Sequence, residues 1–190
     1  MRKHYTWITL ALVLCMGTAQ AGLLPVSTMA PEGGDHRYAY DIGLQSGSVL
    51  KPGDFFTIYD FAGLVSGTNI QPAGFTFSSS TAGPTPAGVL PSDDGGVSNL
   101  TWTYTGSETI GPADLGKFSA VSEYGETTND SFTGLSHRTV GGRSNSNITD
   151  TQVPVPMAPC DHVPEPSTLI LLAAGLPLVL GLRKMRNRTT

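Results

Sequence analysis

The middle of the chain is organised by alternation between apolar and polar positions. From His36 to Val140, short segments of period two are separated by Gly, Pro, Asn, Ser and Asp, the texture of an all-β domain. Strands are expected near Arg37–Leu44, Asp54–Phe61, Gly74–Ser78, Ser98–Thr105, Lys117–Ser122 and Ser131–Val140. Pro-Gly at 52–53, Ala-Gly-Pro-Thr-Pro-Ala-Gly at 82–88 and Ser-Asp-Asp-Gly-Gly at 92–96 supply the turns between them. No stretch of this region carries a helical period of useful length.

Ser98–Thr105 is the clearest strand. Leu100, Trp102 and Tyr104 share one face and Thr101, Thr103 and Thr105 the other, so the first set is expected in a core and the threonines in water. Asp54–Phe61 differs, with Phe56 and Ile58 on one side and Phe55, Tyr59 and Phe61 on the other. A strand apolar on both faces belongs at the centre of a sheet, covered twice. Six or more such strands can bury an adequate core as a two-layer β-sandwich, jelly-roll or Ig-like. That domain is assigned to residues 22–140, with Gly22–Asp35 as a leading arm without period. Residues 141–162 lose the alternation and gain Ser, Asn, Thr and Pro. They read as a linker extended at ~3.1 Å per residue around Val153-Pro154-Val155-Pro156, with a docked edge strand as the competing reading for part of it.

The two ends are apolar in a different way. Residues 1–21 fit a secretory signal peptide: Arg2 and Lys3 at the start, Trp7–Met16 as the apolar core, and Ala19-Gln20-Ala21 as a small-residue cleavage site with Ala19 and Ala21 at its key positions. Near the other end, Leu169–Leu182 has no charged or strongly polar side chain. As a helix its length is roughly 21 Å, and residues 167–182 are still short of the ~30 Å hydrocarbon core. Arg183, Lys184, Arg186 and Arg188 follow directly. They can snorkel to headgroups and hold that end on the cytoplasmic side, which favours one C-terminal transmembrane helix over a buried core helix.

Charge sharpens this division. From Gly22 to Pro166 there are 15 acidic against 5 basic residues, while the other six basic residues lie at the two ends. An acidic middle excludes nucleic acid and anionic membrane surfaces as partners of the domain, because phosphates are neutralised by Lys and Arg clusters. Cys15 would leave with the signal peptide, so Cys160 has no internal partner. It is read as an inert thiol, or as a link to another chain.

With these elements in place, Val163–Arg188 (VPEPSTLILLAAGLPLVLGLRKMRNR) resembles a PEP-CTERM sorting signal. The resemblance implies recognition of Pro164-Glu165-Pro166 by exosortase, a thiol protease of Gram-negative bacteria that would process the chain nearby. The segment divides into motif 164–166, helix 167–182 and basic tail 183–188. Met185, Asn187 and the kink at Pro177 are small departures from the pattern. The strings DFFTIYDFAGLV and NLTWTYTG also resemble a domain recurring among PEP-CTERM proteins, a likeness that brings no activity or site residues. The family association implies export across the inner membrane with signal peptidase and exosortase as processing partners. It also implies transient anchoring, and then the cell surface or an extracellular matrix of exopolysaccharide and biofilm.

Chemistry in the middle domain is sparse. There is no G-x-S-x-G, H-E-x-x-H, P-loop or G-x-G-x-x-G, so no enzyme activity, cofactor or metal is expected. Ser136 and His137 are adjacent on a strand and would point to opposite faces, which disqualifies them as a nucleophile–base pair. His36, His137 and His162 lack ligand spacing and read as surface residues. Asp93-Asp94, with Asp54 or Asp60 folded close, could offer oxygens to calcium; turn-forming aspartates explain the same residues more simply. Phe55 and Tyr59 are the candidates for an exposed glycan-stacking platform, whereas Trp102 and Tyr104 read as core. The resulting expectation is a non-catalytic envelope or matrix protein, with a carbohydrate-binding module as the alternative.

Overall fold

The computed structural model describes residues 22–157, and among these there is no helix. Ten strands run in chain order: β1 (Leu23–Glu32), β2 (Asp35–Leu44), β3 (Ser48–Leu50), β4 (Phe55–Ile58), β5 (Phe75–Ser80), β6 (Asn99–Tyr104), β7 (Thr109–Ile110), β8 (Ala113–Ser122), β9 (Glu126–Arg138) and β10 (Ser144–Val155). They form a three-stranded sheet of order β1-β2-β8 and a seven-stranded sheet of order β5-β6-β4-β9-β3-β7, with β10 paired to β9. The pairs are antiparallel. All six expected strands are present, and the sandwich is the fold. β4 is central, between β6 and β9, as its two apolar faces require.

One core lies between the sheets. Tyr38, Tyr40, Ile42, Leu44, Phe118 and Ala120 from the small sheet meet Phe56, Ile58, Leu100, Trp102, Tyr104 and Phe132 from the large one. Phe56 stacks on Trp102 at 5.3 Å and on Phe132 at 5.5 Å, and Phe118 meets it edge-on at 4.9 Å. Such ring pairs add roughly 0.5–1.5 kcal/mol beyond the area they bury. The buried tyrosines of β2 bind backbone across the sandwich: the Tyr40 hydroxyl donates to the Gln152 carbonyl (2.9 Å), and Tyr38 to the carbonyls of Tyr124 and Glu126. Burial pushes the Tyr40 phenol well above its usual range, so it stays a donor.

Two expectations about the flanks are corrected. The leading arm is β1, paired with β2 over Leu23–Glu32 through the two-residue turn Gly33-Gly34. Both turn glycines have positive φ (64° and 111°), the conformation of a tight hairpin. Most of the presumed linker is β10, in register with β9 from Ser144↔His137 to Val155↔Glu126, after a turn in which Gly141 and Gly142 again have positive φ. The sandwich therefore extends from residue 23 to residue 155.

These outer strands are joined by a side chain. The amide of buried Asn147 on β10 mimics a peptide: Leu23 N–H donates to its Oδ1 (3.0 Å) and its Nδ2 donates to the Leu23 carbonyl (2.7 Å). A Cβ on Gly22 would collide with that Oδ1, and one on Gly134 would lie 2.9 Å from it, so the amide sits in a slot that two glycines keep open. With Leu23's backbone turned outward, alternation turns Pro25 and Pro31 outward too. Their missing N–H groups blunt the exposed edge of β1.

Candidate functional site

The outer face of the seven-stranded sheet holds the polar chemistry. Registers Ser78↔Thr101, Thr101↔Thr57, Thr57↔Thr133 and Thr133↔Ile148 place four hydroxyls in a row across β5, β6, β4 and β9. Alternation generates it: the same strands send Phe56, Trp102 and Phe132 inward. Thr101 was expected to face water, yet Thr57, Thr101 and Thr133 are all buried. What covers them is the β5–β6 connection, residues 81–98.

That connection folds back over the sheet. Thr57 Oγ1 donates to the Pro84 carbonyl (2.9 Å) and lies 3.0 Å from Thr101 Oγ1. With the Thr57 proton committed to Pro84, Thr101 is the donor between the two. The Tyr59 hydroxyl lies 2.7 Å from Thr85 Oγ1, 3.3 Å from the Pro84 carbonyl and 3.4 Å from Thr133 Oγ1. Further along, the Ser92 N–H donates to Ser131 Oγ and the Asp94 N–H to the Asp60 carboxylate, both at 2.9 Å. Hydrogen bonds of this kind are worth about 1 kcal/mol net each.

The predicted platform is therefore only half present. Phe55 is half-buried on this outer face, but Tyr59 is 0% exposed, as is Phe61; the strap closes over Tyr59 through its hydroxyl. Trp102 and Tyr104 lie in the core, as their alternation indicates. The missed participants are Thr57, Thr101 and Thr133. For Thr101 the signal was the T-x-T alternation read together with the length and Pro/Gly content of the loop 81–98 before it; Thr57 and Thr133 follow from their alternation with Phe56 and Phe132.

The aspartates separate into two groups. Asp60, at φ 54°, receives the Asp94 amide and lies near Asp93 and Asp130. Burial, followed by the Asp130 and Asp93 charges, raises its carboxyl, with the Asp94 amide pulling the other way. Asp93 accepts from Asn99 Nδ2 (2.8 Å) and Asp94 from the Gly96 N–H (2.9 Å), the local bonds that turn-forming aspartates make. Asp54 is elsewhere. It is buried, accepts the Lys51 N–H at 2.8 Å and meets His137 Nδ1 at 3.1 Å. His137 is thus not the free surface residue expected; it ties β9 to the turn before β4. Ser136 turns away toward the Asn145 carbonyl, so the two neighbours do not cooperate. Among the described residues, no group of three or more His, Cys, Asp or Glu is arranged to hold a metal ion.

Ala19 and Ala21, both cysteines, His162, the motif Pro164-Glu165-Pro166, the segment 167–182 and the basic residues Arg183, Lys184, Arg186 and Arg188 lie outside the described residues. No curated protein matches the chain. Among solved structures it is similar to the GAE domain of GGA2p from Saccharomyces cerevisiae, at 9% identity and a TM-score of 0.35, over 70% of this chain and 90% of that one. That likeness is too distant to carry an argument. Residues 162–188 match the PEP-CTERM protein-sorting motif, so the chain carries the signal of an exported protein that exosortase sorts at the membrane of Gram-negative bacteria.

Proposed function

We propose that this is a non-catalytic protein of the Gram-negative cell envelope or extracellular matrix, associated with exopolysaccharide or biofilm. Signal peptidase would remove residues 1–21. The helix 167–182, oriented by Arg183, Lys184, Arg186 and Arg188, would hold the chain until exosortase processes it near Pro164-Glu165-Pro166. The carrying observation is the sorting motif at 162–188, placed after a sandwich whose last strand ends at Val155. Processing at the motif would leave all ten strands of the described residues on the released side.

The test is the intact mass of the protein from its native host, with and without exosortase. Loss of both ends is expected in the first case, and retention of the C-terminal segment in a membrane fraction in the second. A soluble cytosolic chain uncut at both ends would overturn the reading.

A second reading, a carbohydrate-binding module, is favoured by the hydroxyl row on the outer sheet face beside half-buried Phe55. Retention on the host exopolysaccharide, lost in Phe55→Ala with the fold intact, is its expected signature. Retention unchanged by that substitution would place any glycan contact elsewhere. Tyr59→Ala is a poorer probe, because Tyr59 is buried and its truncation would disturb the strap.

A further inference from the structure

We propose that residues 82–91 are a displaceable lid over Thr101, Thr57 and Thr133 of a glycan-binding row that exposed Ser78 continues, and that lifting it admits a stretch of neutral polysaccharide chain. The proposal rests on the exopolysaccharide reading above and gives it a place on the molecule.

The first observation is length. β5 and β6 are antiparallel neighbours in register up to Ser80↔Asn99, a geometry that a loop of about two to five residues closes. Residues 81–98 join them instead, with no strand or helix of their own. Irregular loops of more than about 12–15 residues are uncommon in compact domains, and are mostly lids, binding loops or disordered segments. This one is ordered, and it crosses the sheet face.

The second is what the loop covers. The loop buries the Tyr59 ring and its own Pro86, but the centre of what it covers is a row of hydroxyls rather than an apolar cluster. Its attachments around the row are the bonds from Thr57 and Tyr59 to Pro84 and Thr85. Within 82–91, Pro86 is buried while Thr85, Ala87, Gly88 and Leu90 are exposed, Leu90 at 94%. Hydroxyl donors now satisfied by a backbone carbonyl can be satisfied equally by sugar oxygens. Three inter-strand gaps give the row a length of about 14 Å, with the Phe55 and Tyr59 rings on β4 and just beyond it to meet the apolar face of a sugar. No Lys or Arg belongs to the row, and the chain is acidic overall, so a neutral glycan is selected over an anionic one.

The third is the hinge. A Cβ at Gly83 would lie 2.8 Å from Thr57 Cγ2 and 3.2 Å from Asn99 Cβ, so the closed seat requires glycine there. Gly88, at φ 85°, makes the other bend. Gly83→Ala should therefore prop the lid open from the loop side without altering the row.

Affinity electrophoresis in gels of dextran, galactomannan or the host exopolysaccharide tests this, with amide exchange followed in parallel. Gly83→Ala is expected to accelerate exchange at Ser92, whose N–H fastens the end of the loop to Ser131 Oγ, and to bind at least one neutral polysaccharide tenfold more tightly than the parent. Adding Thr57→Val and Thr133→Val should return retention to the parental level. Faster exchange without tighter binding overturns the proposal. So does a parent whose Ser92 amide exchanges only through global unfolding, a measurement that stands even if Gly83→Ala fails to fold. Equal exopolysaccharide retention by the parent and by Gly83→Ala would defeat the lid and leave the exopolysaccharide reading intact. No retention of any form would defeat both.

Discussion

The two faces of the large sheet use the same strands for opposite purposes. Inward, Phe56 stacks on Trp102 and Phe132, and Phe118 meets Phe56 and Trp102 edge-on, in a core closed to water. Outward, Thr57, Thr101 and Thr133 are equally buried, but under a loop held by hydrogen bonds. Equal burial does not mean equal energy. Apolar area removed from water contributes about 25 cal/mol per Å², whereas a hydroxyl exchanging water for a carbonyl gains roughly 0.5–1.5 kcal/mol. One face holds the fold together, and the other is covered through hydrogen bonds and the burial of Tyr59 and Pro86, the smaller gain that a removable cover needs.

The largest effect should come from the inner face. Phe56→Ala removes a ring that meets Trp102, Phe132, Phe118 and Phe75, and should cost about 3–5 kcal/mol. Against a total of roughly 5–15 kcal/mol for a domain, urea unfolding should show a midpoint lowered by a large fraction, or a chain that no longer folds. A cost below about 1 kcal/mol would mean that the aromatic stack does not carry the core.

Asn147→Ala comes next. It strips partners from Leu23 N–H and the Leu23 carbonyl, both at a buried position. Leaving them unpaired should cost about 2–3 kcal/mol and free the start of β1, seen as faster amide exchange at residues 23–27. This sharpens the comparison, because it places a polar group on the inner side that is as indispensable as a ring.

The inner face was legible in the sequence and the outer one only in part. Leu100, Trp102 and Tyr104 alternate so strongly that no other packing was open to them, and β4 declared itself central by being apolar on both sides. β1 and β10 were missed because edge strands draw their stability from a neighbour rather than from their own composition. LLPVSTMAPE and SNSNITDTQVPV contain the prolines and polar residues that an edge tolerates. The available signal was the Gly-Gly pair beside each, at 33–34 and 141–142, a recognised hairpin turn. Tyr59 was misplaced for a different reason: local alternation says which face a residue occupies, and nothing about a loop that later folds across that face.

A smaller effect is expected at the row itself. Thr57→Val preserves shape and removes the bonds to Pro84 and Thr101. Because Pro84 is exposed, water can take over its carbonyl, but the buried Thr101 hydroxyl loses its bond, so the cost should be about 1–2 kcal/mol in thermal unfolding. Exchange at Ser92, bonded through its N–H to Ser131 Oγ, should rise more than global stability falls. If Thr57→Val instead costs as much as Phe56→Ala, the loop is an integral layer of the fold and the contrast between the faces disappears.

The smallest effect lies where the strap's far end is fastened, and it should be visible mainly through pH. Asp60 accepts the Asp94 amide at 2.9 Å, while burial and the Asp130 and Asp93 charges raise its carboxyl above the usual range. A carboxyl raised in the folded state binds its proton more tightly there than in the unfolded chain. Stability therefore falls as pH rises from the unfolded value, about 3.9, through the folded one, and the penalty is fully present at neutral pH. Asp60→Asn keeps an oxygen acceptor for Asp94, tolerates the positive φ and removes the charge. Thermal unfolding at pH 7 should show it more stable than the parent by about 0.5 kcal/mol or less, with the difference vanishing below pH 4. If millimolar calcium raised the parent's Tm but not that of Asp60→Asn, the aspartates would be collecting a cation rather than closing turns, and the strap would be fastened by an ion instead of an amide.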